Sequence, residues 1–522
     1  MDPWWYGGSC GSDGPPPPQC NVAEAWPWSA NYSAAPGFFP SGLAALGLPL
    51  TLYSNLYAQL GNGNKMTQFT WMNDSCAGIA PCAIVVPEQS FDFHSYIFDA
   101  GTQMGQNAFE IDFADYIFPF ALFASDVRAL DAYFAGMDAA AVEHSFPVQL
   151  CMSLPLMMLD SVYWPSVTNA RLQADGYATT YMRYDIFQGS LLYAAVAMAP
   201  FLDNIWTSSC QPSPDNPYGN STCEGQAAVE GLAAIATLST GPVGFADRVN
   251  FTNATLLGMT CRADGVLLQP ALPAVNVEAF FADRFPPQGE SAGMARIASA
   301  PSFVPLGAAG RAAKPLPPYA FPLPPAADAA LFLSVFGTFV GVPVAVAPVD
   351  LWPPLPAPGA GAVVGYYVQM LSRSALCADG AAAVASGCAN FSAVADASAP
   401  LLTVDTGPFD HEVYSVAPVL AAPGGSSGWA LLGELAKFTR VSGLRVAGLD
   451  TGADCAPAGQ TPLCVTLVGA ADERVVMTLV DPAGSVHVAA AALDASGAGR
   501  LVCACDSAKG TCGCSVGASA GA

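Results

Sequence analysis

The spacing of hydrophobic positions changes partway along the chain. From residue 1 to about 275, short apolar runs alternate with helix-patterned stretches about thirty residues apart. Pro3–Tyr6, Leu48–Tyr53, Ala108–Phe113, Val148–Ser153, Ala170–Gln173 and Ala236–Gly241 read as strands. Asp126–His144 reads as an amphipathic helix, because Val127, Leu130, Phe134 and Met137 recur near the helical period. Strands alternating with helices predict a parallel sheet with helical crossovers. About 250 residues with this rhythm fit an α/β fold of the (β/α)8 TIM-barrel type.

The pattern changes at Pro286–Pro325, where PPQ and KPLPPYAFPLPP predict an extended linker. From Leu331 to Val502, short β-branched runs separated by Gly, Pro and Asp predict an all-β C-terminal sandwich. Val413–Val419, Pro462–Val468, Arg474–Val480 and Ser485–Ala491 are among its expected strands. The expected domains are thus a barrel over 1–280, a linker over 281–325, a sandwich over 326–505 and a disordered Cys-containing tail over 506–522.

Composition narrows the class. Of 522 residues, 11% are charged and 52% hydrophobic, so disorder through low hydrophobicity is excluded. The net charge of −24 repels a phosphate backbone, so no nucleic acid partner is expected. The apolar run Ala329–Val349 is broken by Pro343 and Pro348 and has no close basic anchors. Buried strands around a turn are expected there, and no membrane span.

Ten of the 16 cysteines fall into close sequential pairs: Cys10 and Cys20, Cys76 and Cys82, Cys210 and Cys223, Cys377 and Cys388, Cys455 and Cys464. Cys151 and Cys261 stand alone. Cys503, Cys505, Cys512 and Cys514 form a C-x-C…C-x-C tail, expected as disulfides in preference to a metal cluster. Sequons at Asn31, Asn73, Asn220, Asn250, Asn253 and Asn390 point the same way. A secreted or vacuolar glycoprotein is expected. The opening MDPWWYGGSC lacks the features of a signal peptide, so a truncated N-terminus is expected too.

The most informative segment is Phe109-Glu110-Ile111-Asp112-Phe113. Side chains alternate faces in a strand, so Glu110 and Asp112 share one face and the three apolar residues share the other. Burying two acids is costly unless they are paired or used. Asp175 lies 63 residues after Asp112, or two barrel repeats. Both carboxylates would then open on the C-terminal face, where a nucleophile and a general acid/base could cleave a glycoside. Trp4, Trp5, Tyr6, Tyr177 and Trp206 lie near strand ends, where aromatic faces could pack on a sugar ring.

Several segments together resemble one clan of retaining glycoside hydrolases, containing α-galactosidases, α-N-acetylgalactosaminidases and raffinose synthases. Phe38-Phe39-Pro40-Ser41-Gly42-Leu43 and Leu48-Pro49-Leu50-Thr51-Leu52-Tyr53 resemble its F-P-x-G-[IL] helix entry and following strand. FEIDF resembles the nucleophile strand K-x-D, and Arg171 with Asp175 resembles R-x-x-x-D. The resemblance implies Asp112 as nucleophile and Asp175 as acid/base, with Glu110 standing where the family has Lys. LSTGPVGFAD with Cys261-Arg262-Ala263-Asp264-Gly265 resembles a raffinose-synthase segment, as do HEVYSVAPV and WALLGELAKF in the sandwich. It also implies sugar contacts from Arg171, Asp203 and Trp206, and from the Asp2-Pro3-Trp4-Trp5 strand, which keeps one of the family's two acids. Larger members carry an N-terminal β-sandwich that is not in this sequence.

The resulting expectation is a retaining, α-galactosidase-like glycosidase acting on an oligosaccharide or glycoconjugate, without cofactor or metal. A raffinose-synthase-like transferase and an inactive carbohydrate-binding matrix glycoprotein are the alternatives. Gly289-Glu290-Ser291-Ala292-Gly293 matches the esterase elbow, but neither the preceding strand nor an oxyanion segment accompanies it.

Overall fold

The structure is a computed structural model. It describes residues 50–54, 68–76, 80–103, 105–112, 114–117, 120–172, 186–202, 204–208, 229–247, 250–277, 296–307, 329–338, 343–356, 363–371, 391–394, 400–406, 411–421, 425–452, 455, 460–506 and 509–517. The chain divides into two compact units, residues 1–174 with 195–200, and residues 175–194 with 201–522. This division does not fall at the expected boundary near 280.

The first unit is α/β. Its strands include β1 (Leu50–Ser54), the hairpin of β2 (Trp71–Cys76) and β3 (Ala80–Val85), β4 (Gln106–Ile111), β5 (Val148–Leu150), β6 (Val167–Arg171) and β7 (Ala199–Phe201). One sheet has the order β1-β4-β5-β6-β7, and the pairs β1/β4, β4/β5 and β5/β6 are parallel. The main crossovers are α1 (Ser90–Gln103) before β4 and α2 (Val127–His144) before β5. A short helix, α3 (Pro155–Asp160), precedes β6. The crossovers are therefore as expected. Closure into an eight-stranded barrel is not observed among the described residues, and the expected strand Pro3–Tyr6 lies outside them.

Asp126 caps α2 by accepting from the Arg128 amide at 3.0 Å, and Ser145 ends the helix in a left-handed conformation. Leu130, Phe134 and Met137 are buried as their spacing predicts; Val127, in the first turn, is 66% exposed. Helices α1 and α2 approach closely at Gly136. A Cβ there would lie 2.7 Å from the Ser90 Cβ and 2.9 Å from the Phe91 amide nitrogen, so no larger residue fits without displacing α1.

Between these helices and β4, His94 is fully buried against the rings of Phe93, Phe98, Phe109 and Tyr133. Its Nδ1 hydrogen-bonds to the Ser90 carbonyl at 2.7 Å. Burial pushes its pKa down to about 4, only partly offset by that hydrogen bond.

The second unit carries helix α4 (Ile186–Ala195) up to its last residue, the parallel pair β8 (Asn204–Ile205) and β9 (Gly244–Phe245), and helices α5 (Val229–Leu238) and α6 (Ala254–Gly258). The expected strand Ala236–Gly241 is instead the end of α5, to Leu238, and the turn that follows it. That helix is buried from Gly231 to Leu238, and an apolar run buried on all sides shows no period to distinguish helix from strand.

The rest of this unit is an antiparallel β-sandwich. One sheet runs β10 (Val275–Asn276), β11 (Arg296–Pro305), β12 (Ala329–Thr338), β17 (His411–Ala421), β18 (Gly428–Gly433), β21 (Arg474–Val480) and β22 (Val486–Ala492). On it, β14 (Val363–Leu371) joins β17 and β15 (Phe391–Val394). A small pair is formed by β13 (Val344–Val346) and β16 (Leu402–Val404). The other sheet is β19 (Val446–Asp450), β20 (Gln460–Val468), β23 (Ala498–Asp506) and β24 (Thr511–Val516). Trp429 and Leu431 from the first sheet, with Met477 and Leu479, share one core with Leu463, Val465, Leu467 and Leu501 from the second. Each such side chain, fully buried, contributes roughly 1.5–3 kcal/mol.

Two expectations are corrected here. Arg296–Pro305 was read as linker but is a ten-residue strand paired along its length with β12. Its Ala and Ser residues and two prolines resemble the flanking Pro-rich text, and only the pairing distinguishes it. The expected disordered tail over 506–522 includes β24, which two disulfides, Cys503–Cys514 and Cys505–Cys512, tie to β23. Cys455–Cys464 is also bridged, while Cys151 and Cys261 are free thiols. The apolar run from Ala329 forms β12 and β13, and no described helix is long and apolar enough to cross a membrane.

Arg445 anchors the sandwich core. It pairs bidentately with Glu473, at 2.6 and 2.9 Å, and with Glu434 at 2.7 Å, and its side chain is fully buried. Glu473 also accepts from the Ala263 amide, and Arg262 donates to the Leu444 carbonyl. The CRADG segment is thereby clamped to the sandwich, with Arg262 paired to Asp264.

Two outcomes follow. His94 takes up a proton in the unfolded chain near its ordinary 6.5 but in the folded chain only near 4. Stability is therefore full above about 6.5 and falls between 6.5 and 4, by about 3 kcal/mol at most. Urea unfolding at pH 7 and 4.5 should show this loss, and His94→Leu should shrink it. Arg445→Met should cost about 3 kcal/mol by stranding the buried Glu434 carboxyl and depriving the partly buried Glu473 of its main partner, read as a lowered urea midpoint.

Candidate active site

The C-terminal ends of β4, β5 and β6 bring three sequence-predicted residues together. Along β4, Phe109 and Ile111 are completely buried, and Phe109 packs edge-on against Phe98 of α1 at 4.9 Å. Alternation then places Glu110 and Asp112 on the opposite face. Glu110 pairs in register with Gln149, and Gln149 with Asn169. One step further along, the Cys151 amide donates to the Ile111 carbonyl at 2.8 Å, continuing the parallel ladder. Asp112, Cys151 and Arg171 thus occupy the next level of the same face, at 8%, 2% and 5% exposure.

This face holds two acids, one thiol and one guanidinium in a buried setting. Burial pushes the Glu110 carboxyl up, and the negative charge of Asp112 pushes it further. A hydrogen bond from Gln149, the charge of Arg171 and a hydrogen bond from Cys151 oppose that rise without cancelling it. Burial, followed by the Asp112 charge, also pushes the Cys151 thiol up, so it remains a protonated donor. It hydrogen-bonds to both carboxyls. The following loop is fixed by Met152 in a left-handed conformation and by Ser153 Oγ donating to the Arg171 carbonyl at 3.0 Å. A non-glycine residue at positive φ is uncommon and is held there by its surroundings.

The other predicted residues divide into two groups. Asp2, Trp4, Trp5, Asp175 and Asp203 lie outside the described residues, as do Phe113 and the GESAG segment. Trp206 is partly buried in the second unit, just before Thr207, whose amide and hydroxyl both donate to Asp247 at 2.8 Å. Gln149, Cys151 and Asn169 escaped the reading by sequence. The signal for them was the alternation of Val148-Gln149-Leu150-Cys151, which matches that of β4. Arg171 was found through its motif.

The tail cysteines are consumed by disulfides and are not available as thiolate ligands. Among the described residues of the polar face, Cys151 is the one thiol.

No protein-family sequence profile matches the chain, and no curated protein sequence matches it. Among solved structures it is similar to an α-galactosidase from Saccharomyces cerevisiae with raffinose, at 12% identity and a TM-score of 0.41, over 73% of this chain and 82% of that one. It is also similar to α-galactosidase I from Mortierella vinacea, at 10% identity and a TM-score of 0.38, over 72% and 78% of the two chains. An arabinose-bound α-L-arabinofuranosidase follows at 11% identity and a TM-score of 0.20, over 62% and 56%.

Because its folded pKa is raised, Glu110 opposes folding as pH rises above its ordinary 4.5: the unfolded chain then releases a proton that the folded chain still holds. Glu110→Gln should therefore be stabilised relative to wild type at pH 7 more than at pH 4.5. Paired urea titrations at the two pH values measure that difference, and equal shifts would sink the assignment.

Proposed function

We propose that this chain is a retaining glycoside hydrolase acting on α-linked sugars, with an α-galactoside as the first candidate substrate. One observation supports this reading above the rest. Glu110, Asp112 and Arg171 share a largely buried polar face at the C-terminal ends of β4 and β6, which flank β5 in one parallel sheet. This is the end of a parallel α/β sheet where ligands bind and chemistry is done.

In this reading Asp112 attacks the anomeric carbon and displaces the leaving oxygen, forming a glycosyl-enzyme. Asp175 protonates that oxygen as it departs. Asp175 then takes a proton from water, whose oxygen attacks the anomeric carbon and releases Asp112. Arg171, beside Asp112, stabilises the carboxylate before attack and again on its release. Glu110, its carboxyl pushed up by burial and by the Asp112 charge, is assigned to a sugar hydroxyl, where the family it resembles has a Lys ammonium. Asp2, Trp4, Trp5, Asp203 and Trp206 are assigned to the remaining sugar contacts. The reaction needs no metal or cofactor. Retention requires the two reacting carboxyls to stand about 5–5.5 Å apart. The disulfides support residence in an oxidising compartment.

The replacement of Lys by Glu110 favours a second reading, a sugar-binding protein without turnover. Hydrolysis of p-nitrophenyl α-galactoside by the full chain separates the two. Asp112→Asn should reduce the rate to background, and Asp175→Asn should reduce it about 10²–10⁴-fold. Product of retained configuration by NMR is expected. A disaccharide product with added acceptor sugar would identify a transferase. No turnover of any α-glycoside would leave the binding reading.

A further inference from the structure

Of the six sequons, Asn250-Phe251-Thr252 and Asn253-Ala254-Thr255 are the two whose asparagine side chains the structure describes. They stand back to back on the loop that enters α6, and the structure treats them differently. Asn250 lies in a turn, exposed, with a left-handed backbone at φ 73° that Asn tolerates better than most residues. Phe251 is 36% exposed and Thr252 is exposed as well, and neither belongs to a helix or strand. The carboxamide that would be modified and the hydroxyl two residues on are therefore open to solvent together.

Asn253 is also exposed, but it has a structural task. Its Oδ1 caps α6 by accepting from the Thr255 and Leu256 amides, each at 3.1 Å. Its own amide donates to Thr207 Oγ1 at 2.7 Å, and Thr207 is in turn held by Asp247. Thr255 lies inside the first turn of α6, and the next residue, Leu256, is 1% exposed. The second sequon is thus fixed at both ends. Attachment points three residues apart are separated by at most about 10 Å, which crowds two branched oligosaccharides. The two sites compete, and the first has the freer geometry.

A second, independent observation supplies the setting. Three disulfides support passage through an oxidising compartment, where an exposed sequon meets the glycosylation machinery. We propose that Asn250 carries an N-linked glycan and that Asn253, three residues on, remains bare as the cap of α6. In the transfer, the Asn250 Nδ2 forms a bond to C1 of the first sugar of a lipid-pyrophosphate-linked oligosaccharide. The bond from C1 to the pyrophosphate oxygen breaks, the lipid pyrophosphate leaves with the electron pair, and Nδ2 loses one proton. The proposal rests on the compartment given under the proposed function, and not on sugar cleavage.

The test uses the full chain secreted from eukaryotic cells behind a cleavable leader. Peptides are mapped after enzymatic removal of N-glycans in heavy-oxygen water, which converts each glycosylated Asn to a labelled Asp. Label at position 250 and none at 253 is expected. Asn250→Gln should remove the glycan from position 250, and so should Thr252→Ala, which keeps the Asn of the turn in place. Asn253→Gln should leave occupancy of Asn250 unchanged. A secreted chain with the Cys455–Cys464 bridge intact and Asn250 unlabelled would overturn the proposal, as would label at 253 in the wild-type chain. Label at 250 that survives Thr252→Ala would overturn it too, since the modification would then not depend on the sequon. Each of these results leaves the glycosidase reading where the α-galactoside assay puts it.

Discussion

A single guanidinium facing two carboxyls governs the polar face of the first unit. One buried positive charge balances one buried negative charge at tolerable cost; a second negative charge would be uncompensated. The Glu110 carboxyl accordingly holds its proton more tightly than a free glutamate, and the Cys151 thiol beside both acids remains a donor. The face thus sets one guanidinium and one protonated thiol beside two carboxyls, one of which burial and its neighbour's charge push up.

The reverse side of β4 makes that arrangement possible. Phe109 and Ile111 are buried without remainder, and Phe109 meets Phe98 and His94 of α1. The close contact of α1 with α2 at Gly136 keeps this aromatic layer dense. A one-residue slip of β4 would put both acids into the aromatic layer and two apolar side chains into the polar face, so the register is strongly specified. The strand therefore holds Glu110 and Asp112 in place through residues that touch neither.

The second unit solves a different problem. Its sandwich core is apolar, yet Arg445 lies wholly within it, satisfied by Glu434, Glu473 and the Val468 carbonyl. Glu473 in turn receives the Ala263 amide, and Lys437 donates to the Gly258 and Cys261 carbonyls. The CRADG segment, which resembles part of a catalytic family by its letters, is here a clamp between a loop and a sheet. A motif taken without its partners could not have shown that role.

Much of this was legible in local patterns. The apolar–acidic alternation of β4 and the helical period of Leu130, Phe134 and Met137 follow from backbone geometry alone, so a sequence reveals them directly. The antiparallel rhythm after residue 331 was legible for the same reason. Other features depend on neighbours distant in sequence. Ala236–Gly241 has no period to read, because its helix is buried on every side. Arg296–Pro305 resembles its Pro-rich surroundings until β12 pairs with it. The tail is ordered by cross-strand disulfides that composition cannot assign. The partnership of Glu110 with Gln149, Cys151 and Arg171 belongs to this second kind. Strand periodicity states which face a side chain takes, but the register between strands decides which side chains share it, and that register is set by long-range pairing and packing.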